Sequence, residues 1–125
     1  MAQGRRSAMS LVGLVVVVFG VLELSMATTY TVGDSQGWTF YVANWPDGKT
    51  FKAGDVLVFK YDPALHNVVQ VNGAGFTTCV IPEHSKTYQT GLDHILLQSG
   101  GNFFVSGVSG DCQKGMLIEI YTVDE

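Results

Sequence analysis

Gly54-Asp55-Val56-Leu57-Val58-Phe59-Lys60-Tyr61-Asp62-Pro63 holds one alternating segment between two turn signals. Val56, Val58 and Lys60 fall on one side of an extended chain, and Leu57, Phe59 and Tyr61 on the other. That is the period of two that a strand presents. Gly-Asp before it and Asp-Pro after it favour turns and stop the run at both ends. The same grammar repeats outward. Residues 29–32 are β-branched and aromatic and stop at Gly33-Asp34, residues 67–71 stop at Asn72-Gly73, and residues 95–97 stop at Ser99-Gly100-Gly101; residues 103–105 and 116–123 complete the set. No segment keeps a helical period over the ten or more residues that a helix assignment needs. Many short strands punctuated by Gly, Pro, Asn and Asp predict an all-β chain folded as an antiparallel sandwich or barrel. Without an internal repeat, a low-complexity tract or a Pro/Ser-rich linker, residues 28–125 are expected to form one domain.

The N-terminus reads differently. Residues 1–10 carry Arg5 and Arg6 and no acid, residues 11–22 are an apolar run broken only by Gly13 and Gly20, and Ser25-Met26-Ala27 offers small residues for a signal peptidase. This is the pattern of a secretory signal, residues 1–27, with cleavage after Ala27. A retained membrane anchor is the competing reading, because a span needs about 20 apolar residues. Glu23 and the small-residue site favour cleavage, and no later segment is long enough to span a bilayer. A secreted, extracellular domain without a membrane anchor is therefore expected.

From Thr28 onward five lysines face ten acids, a net charge of −5. An acidic domain lacking a basic stripe is excluded from nucleic-acid binding, which draws its affinity from Lys and Arg at phosphates. The charges are scattered, as on a solvated surface. No Asn-x-Ser/Thr acceptor occurs in this part, so N-glycosylation is not expected. Cys79 and Cys112 are the only cysteines, and an isolated pair in an oxidising compartment reads as one disulfide. Their spacing matches no zinc motif.

Thr29-Tyr30-Thr31-Val32-Gly33-Asp34, Gly37-Trp38-Thr39, Phe51 through Phe59, and His66-Asn67-Val68-Val69 closely resemble the phytocyanins of plants. Tyr88-Gln89-Thr90-Gly91, Asn102-Phe103-Phe104 and Cys112-Gln113-Lys114-Gly115-Met116 extend the resemblance across residues 28–125. Because no Pro/Ser-rich tail follows, the chain looks most like the plantacyanins, or basic blue proteins, within that family. The resemblance implies a cupredoxin-like Greek-key β-sandwich of about seven to eight strands. It also implies a Cys79–Cys112 disulfide and a type 1 copper site near one end.

Such a centre takes two imidazoles and one thiolate in a trigonal set, with a weak axial methionine. Carried over position by position, the resemblance puts His66 on the early histidine and Met116 on the axial methionine. Ser106 occupies the place of the ligand cysteine, and Asp111 that of the second histidine. The interval from Ser106 to Asp111 equals that from Asp111 to Met116, so the loop keeps the family spacing while its donors differ. A hydroxyl is a hard oxygen donor, whereas type 1 copper needs a soft, deprotonated sulfur. Copper is accordingly expected to be absent or weakly bound. Cys112 sits one residue off the ligand position and would be tied up by that disulfide.

His66 also has a plain reading as a loop histidine bonded locally after Asp62-Pro63, and His84 and His94 read as surface residues. Ser106, His66 and Asp111 are the residue types of a hydrolase triad, but a triad needs an ordered Ser-to-His-to-Asp relay and an oxyanion hole. Gly107-Val108-Ser109-Gly110 lacks the nucleophile-elbow spacing. The expectation is a non-enzymatic, monomeric interaction or signalling module, without type 1 electron transfer, that meets an extracellular or cell-wall protein or polysaccharide. A copper electron carrier built on His66, Asp111 and Met116 is the alternative.

Overall fold

The computed structural model describes residues 27–123, so the expected signal segment lies outside the described residues. Seven strands form two sheets: β1 (Thr29–Thr31), β2 (Val56–Lys60), β3 (Val68–Val71), β4 (Lys86–Tyr88), β5 (Leu92–Leu96), β6 (Gly101–Val105) and β7 (Leu117–Tyr121). One sheet has the order β1-β2-β5 and the other β4-β3-β6-β7. On the core side of β2, Leu57 and Phe59 are buried and Tyr61 packs against the same core; Val58, on the other side, is buried as well. Phe104, Ile118 and Ile120 of the second sheet meet them from the opposite side, together with Val68, Trp38 and Met116.

The second sheet is covered on its outer face as well. Val69 and Val105 point away from the main core, as period-two geometry requires. With Cys112 they form a second cluster, against which Phe76, Cys79 and Leu117 pack. Phe76 belongs to α1 (Gly73–Thr78), a six-residue helix. Asn72 caps it by accepting the Gly75 amide at 2.8 Å. The sequence reading took Asn72-Gly73 for a turn; the helix is too short to register as a period, and its N-cap was the available signal.

Two other expectations change. β1 pairs with β2 in parallel, while the remaining strand pairs are antiparallel. The acids are also not all solvated, since Asp55, Asp93 and Asp111 are buried. Asp55 accepts the amides of Thr28 and Lys52, both at 2.9 Å, fixing the entry to β2. Asp93 faces the core beside Phe59 and accepts the Thr90 hydroxyl at 2.7 Å and the Tyr61 phenol at 2.5 Å. A buried carboxylate is tolerated when its lone pairs are met in this way.

That last pair gives a pH prediction. Burial first, and then the bond to Asp93, push the Tyr61 phenol up to about 12 from its ordinary 10.0. Because the folded form holds its proton more tightly than the unfolded chain, this contribution is complete below pH 10. It declines as the pH rises from about 10 to 12. Denaturant titrations across that window should show a smaller loss of stability in Tyr61→Phe than in the parent. Equal slopes would show that the phenol carries no such linkage.

Candidate functional site

The loop joining β6 to β7 and the loop joining β2 to β3 meet at one end of the sandwich. The first is organised around Asp111, whose amide bonds the Val108 carbonyl and whose carbonyl accepts from Lys114 and Met116. Ser106 and Met116 close its base through a main-chain bond of 3.0 Å. Gly115, at φ 84, lets the 40–42 segment lie against the loop: a Cβ there would come 2.8 Å from the Tyr41 Cα. In the second loop, Asp62 accepts the Ala64 amide through its side chain, and its carbonyl accepts the amides of Leu65 and His66. His66 is thereby aimed across the gap.

Its partner is distant in sequence. His66 Nδ1 lies 2.7 Å from Asp111 Oδ2, and the Ser106 hydroxyl donates to the same oxygen at 2.7 Å. A carboxylate only accepts, so Nδ1 carries the proton of the first bond. Ser106 is 1% exposed and Asp111 6%, so water competes little. Met116 is fully buried at the base of the loop. Thus His66, Asp111 and Ser106 are joined directly, while Met116 is tied to them through the backbone. His84 and His94 are exposed and far from this arrangement in the chain.

Two contributors were missed in the sequence. Asn67 accepts the Gly107 amide through its side chain at 2.6 Å and the Trp38 indole through its carbonyl at 2.9 Å, locking the two loops together. Phe40 meets the His66 ring edge-on at 5.3 Å, and Lys114 lies over the other aromatic partner, 5.4 Å from the Phe40 centroid. Neither residue type carries a site signal of its own.

The carboxylate is the hub, so its removal has a predictable cost. Asp111→Ala leaves the His66 Nδ1–H and the Ser106 hydroxyl without their acceptor. Buried donors left in that state cost about 1–3 kcal/mol each. Partial access of water to His66 lowers the sum, and a loss of about 2–3 kcal/mol is expected in urea unfolding. Ser106→Ala, which removes one donor and leaves the carboxylate paired, should cost only about 1 kcal/mol. Equal losses in the two variants would show that the carboxylate is not the hub.

Two facing sheets of three and four strands, one end bearing paired loops with histidine and methionine, and a single Cys79–Cys112 disulfide with Cα atoms 5.8 Å apart define a cupredoxin-like protein. A family model described as a plastocyanin-like domain matches residues 35–116. Chemocyanin of Lilium longiflorum is 50% identical over 123 residues, spanning 96% of this chain and 98% of the relative. Basic blue protein of Arabidopsis thaliana is 43% identical over 129 residues, spanning 98% and 100%. Among solved structures, cucumber basic protein, titled a blue copper protein, superposes with a TM-score of 0.76 at 47% identity; the match covers 77% of this chain and all of that one. The chain belongs to the phytocyanin family of plastocyanin-like domains.

Proposed function

We propose that this chain is a secreted, plantacyanin-type phytocyanin domain whose metal end has become a hydrogen-bonded polar plug. In this reading it acts as an extracellular interaction or signalling module without type 1 electron transfer. The observation that carries the reading is the double acceptance at Asp111 Oδ2, from His66 and from Ser106.

The donor chemistry supports it. Type 1 copper asks for two imidazoles and a thiolate. The four family positions supply one imidazole (His66), one carboxylate (Asp111), one hydroxyl (Ser106) and one thioether (Met116), and both cysteine sulfurs are in the disulfide. That set does not fit the centre. Its imidazole and carboxylate are moreover satisfied by each other. Leu65 and Val108 are exposed on the two loops that carry His66 and Ser106, so a partner docking at this end would cover both. The arrangement also argues against hydrolysis: the Ser106 proton is directed to Asp111 rather than to His66, so nothing activates the hydroxyl as a nucleophile.

Anaerobic titration with Cu(I) and with Cu(II), followed by absorption spectroscopy and voltammetry, tests the proposal. Weak or no binding, no intense visible band and no reversible couple are expected. Tight stoichiometric copper with a reversible couple would replace this reading by an electron carrier using His66, Asp111 and Met116.

A further inference from the structure

β5 closes one side of the three-stranded sheet and pairs with β2 alone. Its two ends fix which way its main chain faces. Gly91 accepts the Tyr61 amide at 3.0 Å, and the Leu97 amide donates to the Asp55 carbonyl at 2.8 Å. Main-chain groups alternate between the two flanks of a strand, so those of Asp93 and Ile95 also turn toward β2. Those of Leu92, His94 and Leu96 turn outward.

Not all of the outward groups are open. Thr90 Oγ1 accepts the Leu92 amide at 3.1 Å and donates to the Leu92 carbonyl at 3.0 Å. Past the other end, Asn102 closes Gln98, accepting its amide at 2.8 Å and donating to its carbonyl at 3.0 Å. Between these two closures, the amide and carbonyl of His94 and of Leu96 have no partner among the described residues.

A bare edge invites another strand, and proteins usually guard it with lysine, proline, a bulge or a charge. β5 has neither lysine nor proline, and its register with β2 runs without a bulge. Its one acid, Asp93, points into the sandwich and is taken up by Tyr61 and Thr90. On the outer face Leu92 and Leu96 are 53% and 58% exposed, and Val56 and Val58 lie beside Leu96 and His94 in register.

We infer that this edge pairs with the same edge of a second copy, antiparallel about a two-fold axis at Ile95. His94 then stands opposite Leu96 of the partner subunit, and Leu96 opposite the partner's His94. Each such pair exchanges two main-chain hydrogen bonds, so every open group is met. Centring the axis on His94 would call on Leu92, which Thr90 holds, and centring it on Leu96 would call on Gln98, which Asn102 holds. The edge therefore fits itself in a single register, as a two-fold interface requires, and this selects a second copy over an unrelated peptide. On the outer face each Leu96 packs against the partner's His94 and lies diagonal to the partner's Leu96, the contacts through which paired strands stabilise one another. A contact along one strand edge falls below the roughly 1,000 Å² of a lasting interface, so the pair is weak. The monomer expected from the sequence is the dilute form of a reversible dimer.

None of His66, Ser106, Asp111 and Met116 takes part, so the inference does not rest on the reading of the metal end. Sedimentation from micromolar to millimolar concentration, with amide spectra of nitrogen-15 labelled protein over the same range, tests it. Reversible dimerisation is expected, with the largest resonance movements at His94 and Leu96. A mixture of carbon-13 labelled and unlabelled copies should show a contact between the Ile95 Hα protons of the two copies, which a non-hydrogen-bonded antiparallel pair brings together. Leu96→Lys, at an exposed position, should weaken the dimer at least tenfold with the melting temperature unchanged. The Ile95 contact is read on the parent, so it decides even where the variant fails to fold. A protein that stays monomeric at millimolar concentration overturns the inference, as does a dimer undiminished by Leu96→Lys or one without the Ile95 contact. Resonance movements confined to residues 62–68 and 106–116 do the same, and so does an edge that stays open in the protein alone and takes up an extended peptide of another protein.

Discussion

Ser106→Cys combined with Asp111→His is expected to give a protein that turns blue on addition of copper(II). The two substitutions install the thiolate and the second imidazole at the positions that the family pattern assigns to them, with His66 and Met116 already present. Ser106 sits at the end of β6, its amide bonded to the Met116 carbonyl, and Asp111 is held by three main-chain bonds within its loop. Both positions are therefore set by backbone that the substitutions leave alone. Burial of both side chains keeps water from competing for the metal. Copper(II) added to the double variant should bind stoichiometrically, with an intense visible charge-transfer band from the thiolate. Affinity should rise on the order of a thousandfold over the parent, equivalent to about 4 kcal/mol.

The single variants separate the two contributions. Asp111→His alone supplies nitrogen without sulfur and should remain colourless. Ser106→Cys alone supplies sulfur but leaves the carboxylate beside it, so a weaker and altered band is expected. If the double variant folds with its Cys79–Cys112 bridge intact and still shows no band, the family positions have been carried onto the wrong geometry. The reading of the polar plug as a converted metal site then fails with them.

Which features were legible depends on the distance over which each is decided. β2 declared itself through Leu57 and Phe59 against Val58 and Lys60, because period and flanking turns are local. β4 did not, since Lys86-Thr87-Tyr88 is three residues long and gains its definition from pairing with Val68, Val69 and Gln70. The direction of β1 beside β2 was equally hidden, because alternation specifies a face and not a neighbour. Asp93 looked like a surface charge in a scattered set. Its burial follows from falling opposite Phe59 in the register of β2 and β5, and the tertiary partners Tyr61 and Thr90 make that burial tolerable.

The site divides in the same way. Family spacing located His66, Ser106, Asp111 and Met116. Carried onto one metal site, the first three were expected to lie near one another, but the spacing did not say which atoms would bond or that Asp111 Oδ2 would accept from both His66 and Ser106. A substituted ligand set can leave lone pairs open or close on itself, and only the relative placement of the two loops decides between these outcomes. Asn67 fixes that placement by bonding Gly107 across the gap, although asparagine after a candidate ligand is unremarkable in sequence.

Loss of the disulfide should produce the largest fall in stability. Cys79 and Cys112 are 33 residues apart, and opening a loop of that length releases about 3–4 kcal/mol of unfolded-state entropy in the chain-entropy model. For a domain whose total stability is of order 5–15 kcal/mol, Cys79→Ser with Cys112→Ser should lower the melting temperature by roughly 15–25 °C. The loss has a local direction as well. Cys79 terminates α1 and Cys112 follows Asp111, so the bridge ties the outer helix to the loop that holds the polar plug. The serine pair should therefore weaken amide-exchange protection in residues 73–78 and 106–116 before it does so in β2 and β5. Melting curves of the parent with and without reductant, set beside the variant, check the magnitude, and hydrogen exchange checks the direction. A shift of only a few degrees would overturn the chain-entropy estimate, and uniform loss of protection across both sheets would mean that the bridge acts on the unfolded chain alone and leaves the loop to be held by Asp111 and Asn67.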